Sequence, residues 1–245
     1  MKNKDAYIYG RQPVLEALES GQAMDKILLK RNSKSHSISS IVKLAKEQQV
    51  YIQEVPIEKL NRLTKKNHQG VIGITALVQN FKVEDILSQV YAEGKIPLFL
   101  VLDGVTDVRN FGAIVRSATC MGVNAIIVGS KGSAQINEEV VKASAGALWQ
   151  MPICKTMRLL DAIDYLKEFG IKVFASSLQT EHTISAIDFN QPTAIVMGSE
   201  GAGVGEKIMA KTDQAFKINM PGDFDSLNVS VATGMILYEA VRQRG

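Results

Sequence analysis

Three short stretches hold most of the residues in this chain whose types and spacing can do chemistry. The first is "DGVTDVRNFGAIVRSA" (103–118), where Asn110 precedes Gly112 and Arg116 follows. Asn suits a helix N-terminus, Gly permits close backbone approach, and the planar guanidinium fork suits a phosphate. Arg116 also lies among Ile114, Val115 and Ala118. A helical Arg in such company ordinarily carries its head out to water. The second stretch is "GSEGAGVGEK" (198–207). A glycine-rich loop at a strand end suggests a phosphate cradle, or simply a flexible turn. A P-loop needs Gly-Lys followed by Ser or Thr, but Gly205 is followed by Glu206, Lys207 and Ile208. A dinucleotide fingerprint belongs after the first strand of its unit, and this loop follows a late one. Glu200 would repel phosphates and suits a cationic or hydroxyl-rich ligand. The third stretch is "INMPGDFDSLNVSVATG" (218–234), with Asp223, Asp225, Ser226, Asn228 and Ser230 in eight residues. A helix cap explains one of them; backbone amides freed at such a turn can instead bind a ligand.

The elements that must position these loops are read from periodicity. In the C-terminal part, "PLFLVLDGV" (97–105), "NAIIVG", "IKVFASS", "TAIVMG" and "QAFKINM" read as strands, the first being a continuous apolar run of the buried type. "GAIVRSATCMG", "NEEVVKASAGAL", "LLDAIDYLKEF" and residues 228–243 read as helices. Strands alternating with helices predict an α/β fold with a mostly parallel sheet. Ligands then sit at the carboxyl ends of strands, where all three stretches fall. The N-terminal part reads as a small α/β unit. It has helices at "VLEALES" and "ISSIVKLAKEQQ", the latter with Ile38, Ile41, Val42 and Ala45 on one face, and strands at "KILLK", "VYIQEV" and "GVIGITAL". The expected domains are residues 1–77 and 97–245, joined by a polar linker over 78–96.

Among 245 residues, hydrophobic types make up 46% and charged types 22%, as in a globular protein. The opening residues show no secretory pattern and no apolar run is long enough for a membrane span, so a cytoplasmic location is expected. Cys120 and Cys154 are not paired in a C-x-x-C, and His36, His68 and His182 are scattered. No metal site is predicted, and both thiols are expected to be buried. Net charge is +3 overall. Residues 1–80 carry 13 Lys and Arg against 7 Asp and Glu, whereas residues 81–245 carry 15 against 18. A basic N-terminal unit suggests a polyanion partner or a solvated basic face. Lys26, Lys30, Arg31, Lys34, Lys59, Arg62, Lys65 and Lys66 are its candidate phosphate contacts. Trp149, the only Trp, is expected in the core, with base stacking as the alternative.

Taken together the three stretches resemble the motifs of the SpoU/TrmH family of RNA ribose 2′-O-methyltransferases, in the SPOUT superfamily. "NFGAIVRSA", "IVMGSEGAGV" and "INMPGDFDSLNVSVATGMILYEA" stand in that family's order and spacing, and "YIYGRQPVLEAL" and "HQGVIGI" resemble its L30e-like substrate-binding domain. "INEEVVKASAGAL" and "EAVRQR" most resemble members that methylate a guanosine of large-subunit ribosomal RNA in the peptidyl-transferase P loop. The resemblance implies a deep trefoil knot in the C-terminal domain, S-adenosylmethionine as cofactor, ribosomal RNA as partner and a homodimer formed through the catalytic domain. It implies catalytic or shaping roles for Asn110, Arg116, Glu200, Ser226 and Asn228. Cofactor contacts would come from Met197, Gly198, Gly203, Ile218, Met220 and Leu227, largely through backbone. The same chemistry on a different ribosomal or transfer RNA nucleotide, and a non-catalytic RNA-binding ribosome-assembly factor, are the competing readings.

Overall fold

The computed structural model describes residues 7–33, 35–223 and 225–245. They fall into two compact units, 1–79 and 80–245.

In the first unit the elements are β1 (Tyr7–Tyr9), α1 (Arg11–Glu19), β2 (Met24–Lys30), α2 (His36–Glu47), β3 (Tyr51–Val55), α3 (Ile57–Leu63) and β4 (Val71–Thr75). The sheet order is β1-β4-β2-β3, with β2 parallel to β3 and antiparallel to β4, so the sheet is mixed. Alternate residues of a strand point to opposite faces, and β2 uses both. Ile27 and Leu29 pack with Val14 and Leu18 of α1 and Ile38, Ile41 and Ala45 of α2. Leu28 faces the other way, onto Leu60 of α3 and Ile72 of β4. The start of α2 is fixed by Ser35, whose Oγ accepts from the Ile38 amide at 3.3 Å. Val42, placed on the apolar face from sequence, is exposed. Neither β1 nor α3 was anticipated: the one is three residues long, and the other buries only Leu60.

The second unit adds α4 (Val83–Ala92), β5 (Leu98–Leu102), α5 (Val108–Cys120), β6 (Ala125–Gly129), α6 (Glu138–Ala143), a 3-10 turn (Ala147–Trp149), β7 (Ile153–Thr156), α7 (Leu159–Glu168), β8 (Lys172–Ser176), β9 (Thr193–Met197), α8 (Glu206–Met209), β10 (Gln214–Phe216) and α9 (Val229–Gln243). All six strands are parallel, in the order β10-β8-β9-β5-β6-β7. β5, β6 and β9 are buried throughout, which is why they read as unbroken apolar runs. The strand order reverses between β5 and β9. The chain leaves these two strands toward opposite sides of the sheet, and in open α/β sheets ligands sit at the carboxyl ends at such a point.

The expected linker over 78–96 is mostly structure. Val83, Ile86, Leu87 and Val90 of α4 join the core of the second unit. Asn80 is docked on β7, its Oδ1 accepting from the Lys155 amide at 2.6 Å. α4 is the helical insert that this polar stretch suggests, and its exposed face is what makes the stretch read as polar. β7 also went unread, because "PICKT" is too short for a period.

Two burial expectations are corrected. Trp149 is 60% exposed, since the 3-10 turn carries it outward while Leu148 goes into the core. Cys120 is exposed at the end of α5; only Cys154 is buried. Burial pushes the Cys154 thiol up to about 12, with Glu84 and Asp85 adding to the shift. A thiol reagent at neutral pH should therefore modify one thiol per native chain and both after unfolding. Two fast-reacting native thiols would contradict this core.

The C-terminal end of α9 is tied down by Arg244. Its guanidinium donates to the carbonyls of Phe189, Ile96, Pro97 and Gln191 at 2.8–3.0 Å. Arg244→Ala leaves these acceptors without their partner and should cost about 2 kcal/mol. In a unit of this size that is a fall of roughly 5 °C in the unfolding midpoint by calorimetry. Among the described residues no helix is long and apolar enough to cross a membrane.

Candidate active site

Asp103 follows β5 directly. Its backbone amide donates to the Met197 carbonyl at 2.8 Å, and its Oδ2 accepts from the Gly205 amide at 2.8 Å. This one residue ties the loop after β5 to both ends of the glycine-rich loop after β9. The glycine loop also closes on itself, the Ser199 and Gly203 amides donating to each other's carbonyls at 3.2 and 2.9 Å. Gly203 adopts φ 67° to allow it, a region L-residues avoid. A Cβ on Gly198 would run into the backbone of Gly203 and Val204.

The start of α5 differs from expectation. The helix begins at Val108 and its cap is Asp107, whose Oδ1 accepts from the Arg109 and Asn110 amides at 2.9 and 2.8 Å. Asn110 thus sits inside the first turn with its side chain released from capping. That side chain reaches Glu200, its Nδ2 donating to Oε1 at 3.0 Å. Gly112, on the next turn, lies against α6, where a Cβ would collide with that of Ala143.

Asn228 does cap α9. Its Oδ1 accepts from the Ser230 amide at 3.0 Å, the Ser230 hydroxyl at 2.6 Å and the Val231 amide at 3.4 Å. Its Nδ2 points back, donating to Glu200 Oε1 at 2.6 Å and to Asn110 Oδ1 at 3.0 Å. The Val229 amide also donates to Glu200 Oε1, at 3.5 Å. Glu200, Asn110 and Asn228 therefore form a closed triangle joining three loops, with the carboxylate as the common acceptor.

Arg116 is outside that triangle. It is exposed and its side chain makes no hydrogen bond or ion pair with another described residue, so its five N–H donors are free for a ligand. Ser226 is exposed and is not drawn into the network either; Ser230 takes the hydroxyl position beside Asn228. Met197 is buried and its carbonyl is taken by Asp103, so it sets the position of Gly198 and offers no side chain. Ile218, Met220 and Leu227 are half-buried. None of the described residues from Ile218 to Leu227 makes a hydrogen bond to another described residue. Their peptide groups stay available beside apolar side chains, which is what the edge and face of an adenine ring require. Asp103 and Asp107 were missed from sequence; their signal is an Asp directly after a buried strand and an Asp just ahead of a helix.

In the first unit, Lys30, Arg31 and Lys66 come together around a polar cavity of about 730 Å³, joined by Arg11, which was not anticipated. Lys26 is half-buried on β2, and Lys59, Arg62 and Lys65 are exposed and do not line the cavity. Lys34 lies outside the described residues.

Residues 97–238, more than half of the chain, match the family described as SpoU rRNA Methylase. The chain belongs to the SpoU rRNA methylase family. Residues 7–81 match the RNA 2′-O ribose methyltransferase substrate-binding family. Over its whole length the chain is 32% identical to YacO of Bacillus subtilis (strain 168), which is assigned to the TrmH family of tRNA/rRNA methyltransferases, and 98% of that protein is covered. The AdoMet-bound rRNA methyltransferase of Sinorhizobium meliloti is 26% identical, with a TM-score of 0.61 over 96% of this chain and 86% of that one. AviRb of Streptomyces viridochromogenes in complex with AdoMet is 24% identical, with a TM-score of 0.61 over 97% and 90%, and shares the fold. This SpoU-family protein is an S-adenosylmethionine-dependent RNA 2′-O-methyltransferase whose N-terminal unit binds RNA substrate. The free peptide groups at Ile218, Met220 and Leu227 fit that cofactor.

Proposed function

We propose that the enzyme methylates the ribose 2′-hydroxyl of a guanosine in the peptidyl-transferase P loop of large-subunit ribosomal RNA. The observation that carries the catalytic reading is the closed Asn110–Glu200–Asn228 triangle, together with an Arg116 side chain left unengaged further along α5. The target rests on "INEEVVKASAGAL" and "EAVRQR", which resemble members with that substrate.

When bound, S-adenosylmethionine supplies an electrophilic methyl carbon. The chain supplies position and charge. A 2′-hydroxyl is a weak nucleophile, and its proton must leave as it attacks. A guanidinium is a hydrogen-bond donor with no acceptor, so Arg116 serves by holding the neighbouring phosphate and stabilising the developing alkoxide; phosphate or water takes the proton. Glu200 is a brace, because its Oε1 already accepts three donors. Asn110 and Asn228 orient it and fix the helix starts, and Ser226 shapes the rim. Gly198, Gly203, Ile218, Met220 and Leu227 hold the cofactor. If Glu200 is a brace, Glu200→Gln keeps an oxygen acceptor for the two Asn amides, and turnover should fall less than about ten-fold. Glu200→Ala removes the acceptor and should cost roughly 100-fold, by the price of hydrogen bonds to a charged group. A general base would lose comparably in both variants.

The reading includes the trefoil knot and a homodimer. α9 buries Ile236, Leu237 and Ala240 on one side yet leaves Val231, Met235 and Tyr238 exposed on another. These three line a groove of about 670 Å³ with Ala113 and Ser117 of α5. A second copy seated there would cover the stripe, and the mass in solution by light scattering tests it.

The decisive experiment incubates the enzyme and tritiated S-adenosylmethionine with ribosomal RNA from cells lacking the gene, then maps the label by primer extension at low nucleotide concentration. One labelled guanosine in the large-subunit P loop is the expected result. Label elsewhere in ribosomal or transfer RNA would move the target and leave the chemistry in place.

A further inference from the structure

The cavity in the first unit belongs to no part of the methyl-transfer site. It opens where the end of β2, the start of α1 and the turn before β4 meet. Four cations, Arg11, Lys30, Arg31 and Lys66, line it, and among the described residues no Asp or Glu does. Two of the four are held in place. The Arg11 guanidinium donates to the Gln69 carbonyl at 3.1 Å and to Ser35 Oγ at 3.3 Å, and Lys66 Nζ stands 5.0 Å over the Tyr9 ring.

The turn itself is braced from below. His68 is buried; its Nδ1 accepts from the Gly70 amide at 3.0 Å and its Nε2 meets Asn61 Oδ1 at 2.9 Å. Gln69 and, across the cavity, Asn32 hold left-handed conformations at φ 47° and 57°, a strained state that persists where surrounding structure imposes it. The backbone amides of Asn32, Asn67, His68 and Gln69 make no hydrogen bond to another described residue. Successive free amides in such turns form anion-binding concavities.

We propose that this cavity binds one unpaired nucleotide of the RNA substrate together with its flanking phosphates, a proposal that rests on the N-terminal unit engaging RNA. Its volume falls in the range of roughly 300–1,000 Å³ typical of small-ligand sites. It is a concavity of single-ligand size, which a nucleotide splayed from a loop can fill more closely than the ridge of an A-form duplex. The cations and free amides take phosphate. The side-chain amides of Asn32 and Asn67 offer both donors and acceptors, the groups that pair with a base edge.

The test uses the full chain and fluorescence anisotropy with two labelled RNAs, a hairpin carrying a single-stranded loop and a fully paired duplex of equal length. The wild type is expected to bind the hairpin more tightly. Arg31→Ala and Lys66→Ala should each weaken that binding about ten-fold and lower the salt slope by about one. Asn67→Ala should narrow the preference for the hairpin without changing the salt slope. Thermal melts and calorimetry with S-adenosylmethionine should be unchanged in all three, which separates a lost contact from a lost fold. Equal wild-type affinity for hairpin and duplex, or wild-type hairpin affinity in both cation variants, would overturn the proposal. Failure of the wild type to bind either RNA while still binding S-adenosylmethionine would overturn it along with the RNA-binding role of the unit.

Discussion

Arg116→Ala is expected to lower turnover roughly 100- to 1,000-fold, the usual cost of removing one preorganised donor aimed at developing negative charge. The same change should leave the unfolding midpoint and the affinity for S-adenosylmethionine unaltered. That combination follows from the geometry. The Arg116 side chain is exposed and has no hydrogen bond or ion pair within the described chain, and surface changes away from such contacts ordinarily stay within about 0.5 kcal/mol. A snorkelling Arg would give the opposite pattern, with little loss of rate. Arg116→Lys separates charge from shape. It keeps the positive charge but loses the planar fork, so a reduction of roughly ten-fold or more is expected, with most of the loss in kcat. Near-wild-type turnover in the Lys variant would remove the forked phosphate contact from the mechanism. Single-turnover rates with saturating RNA, alongside calorimetry, make the measurement.

The parts of this molecule that were legible in sequence are those built from local pattern. β5, β6 and β9 announced themselves as apolar runs because both faces of a parallel strand are buried. The three strand-end loops were found because Gly, Asn and Ser have few other reasons to cluster there. What stayed hidden depends on which of several competent residues wins a place. Asp107 and Asn110 are both good caps, and only the fold shows that Asp107 takes the amides and so releases Asn110 to meet Glu200, ninety residues away. Leu148 and Trp149 are adjacent and apolar, and they sit in one short 3-10 turn that buries Leu148 and leaves Trp149 outside. The same holds in the first unit: Arg11 and Gln69 are 58 residues apart, and no spacing rule relates them. Long-range partners in this chain come from strand order, and strand order is not written in any single segment.

Within the glycine-rich loop, three substitutions that look alike should have very different effects. Gly198→Ala is expected to reduce S-adenosylmethionine affinity about 100-fold and to lower the unfolding midpoint. The new Cβ would strike the backbone of Gly203 and Val204, which cannot rotate aside as a side chain can, and overpacking of this kind costs up to about 3 kcal/mol. The loop would have to open, breaking the paired Ser199 and Gly203 hydrogen bonds and shifting Glu200 from its two Asn partners. Gly203→Ala meets no atom within 4 Å but sits at φ 67°. Its cost is the left-handed backbone alone, about 1 kcal/mol, or a loss of roughly five-fold. Gly201→Ala has open space and no left-handed conformation, so its affinity should match the wild type. Calorimetric titration of the three variants gives the order directly. A merely flexible turn would tolerate all three to the same degree. The graded series is expected only if the loop is a rigid cradle whose closure at Gly198 places Glu200 between Asn110 and Asn228.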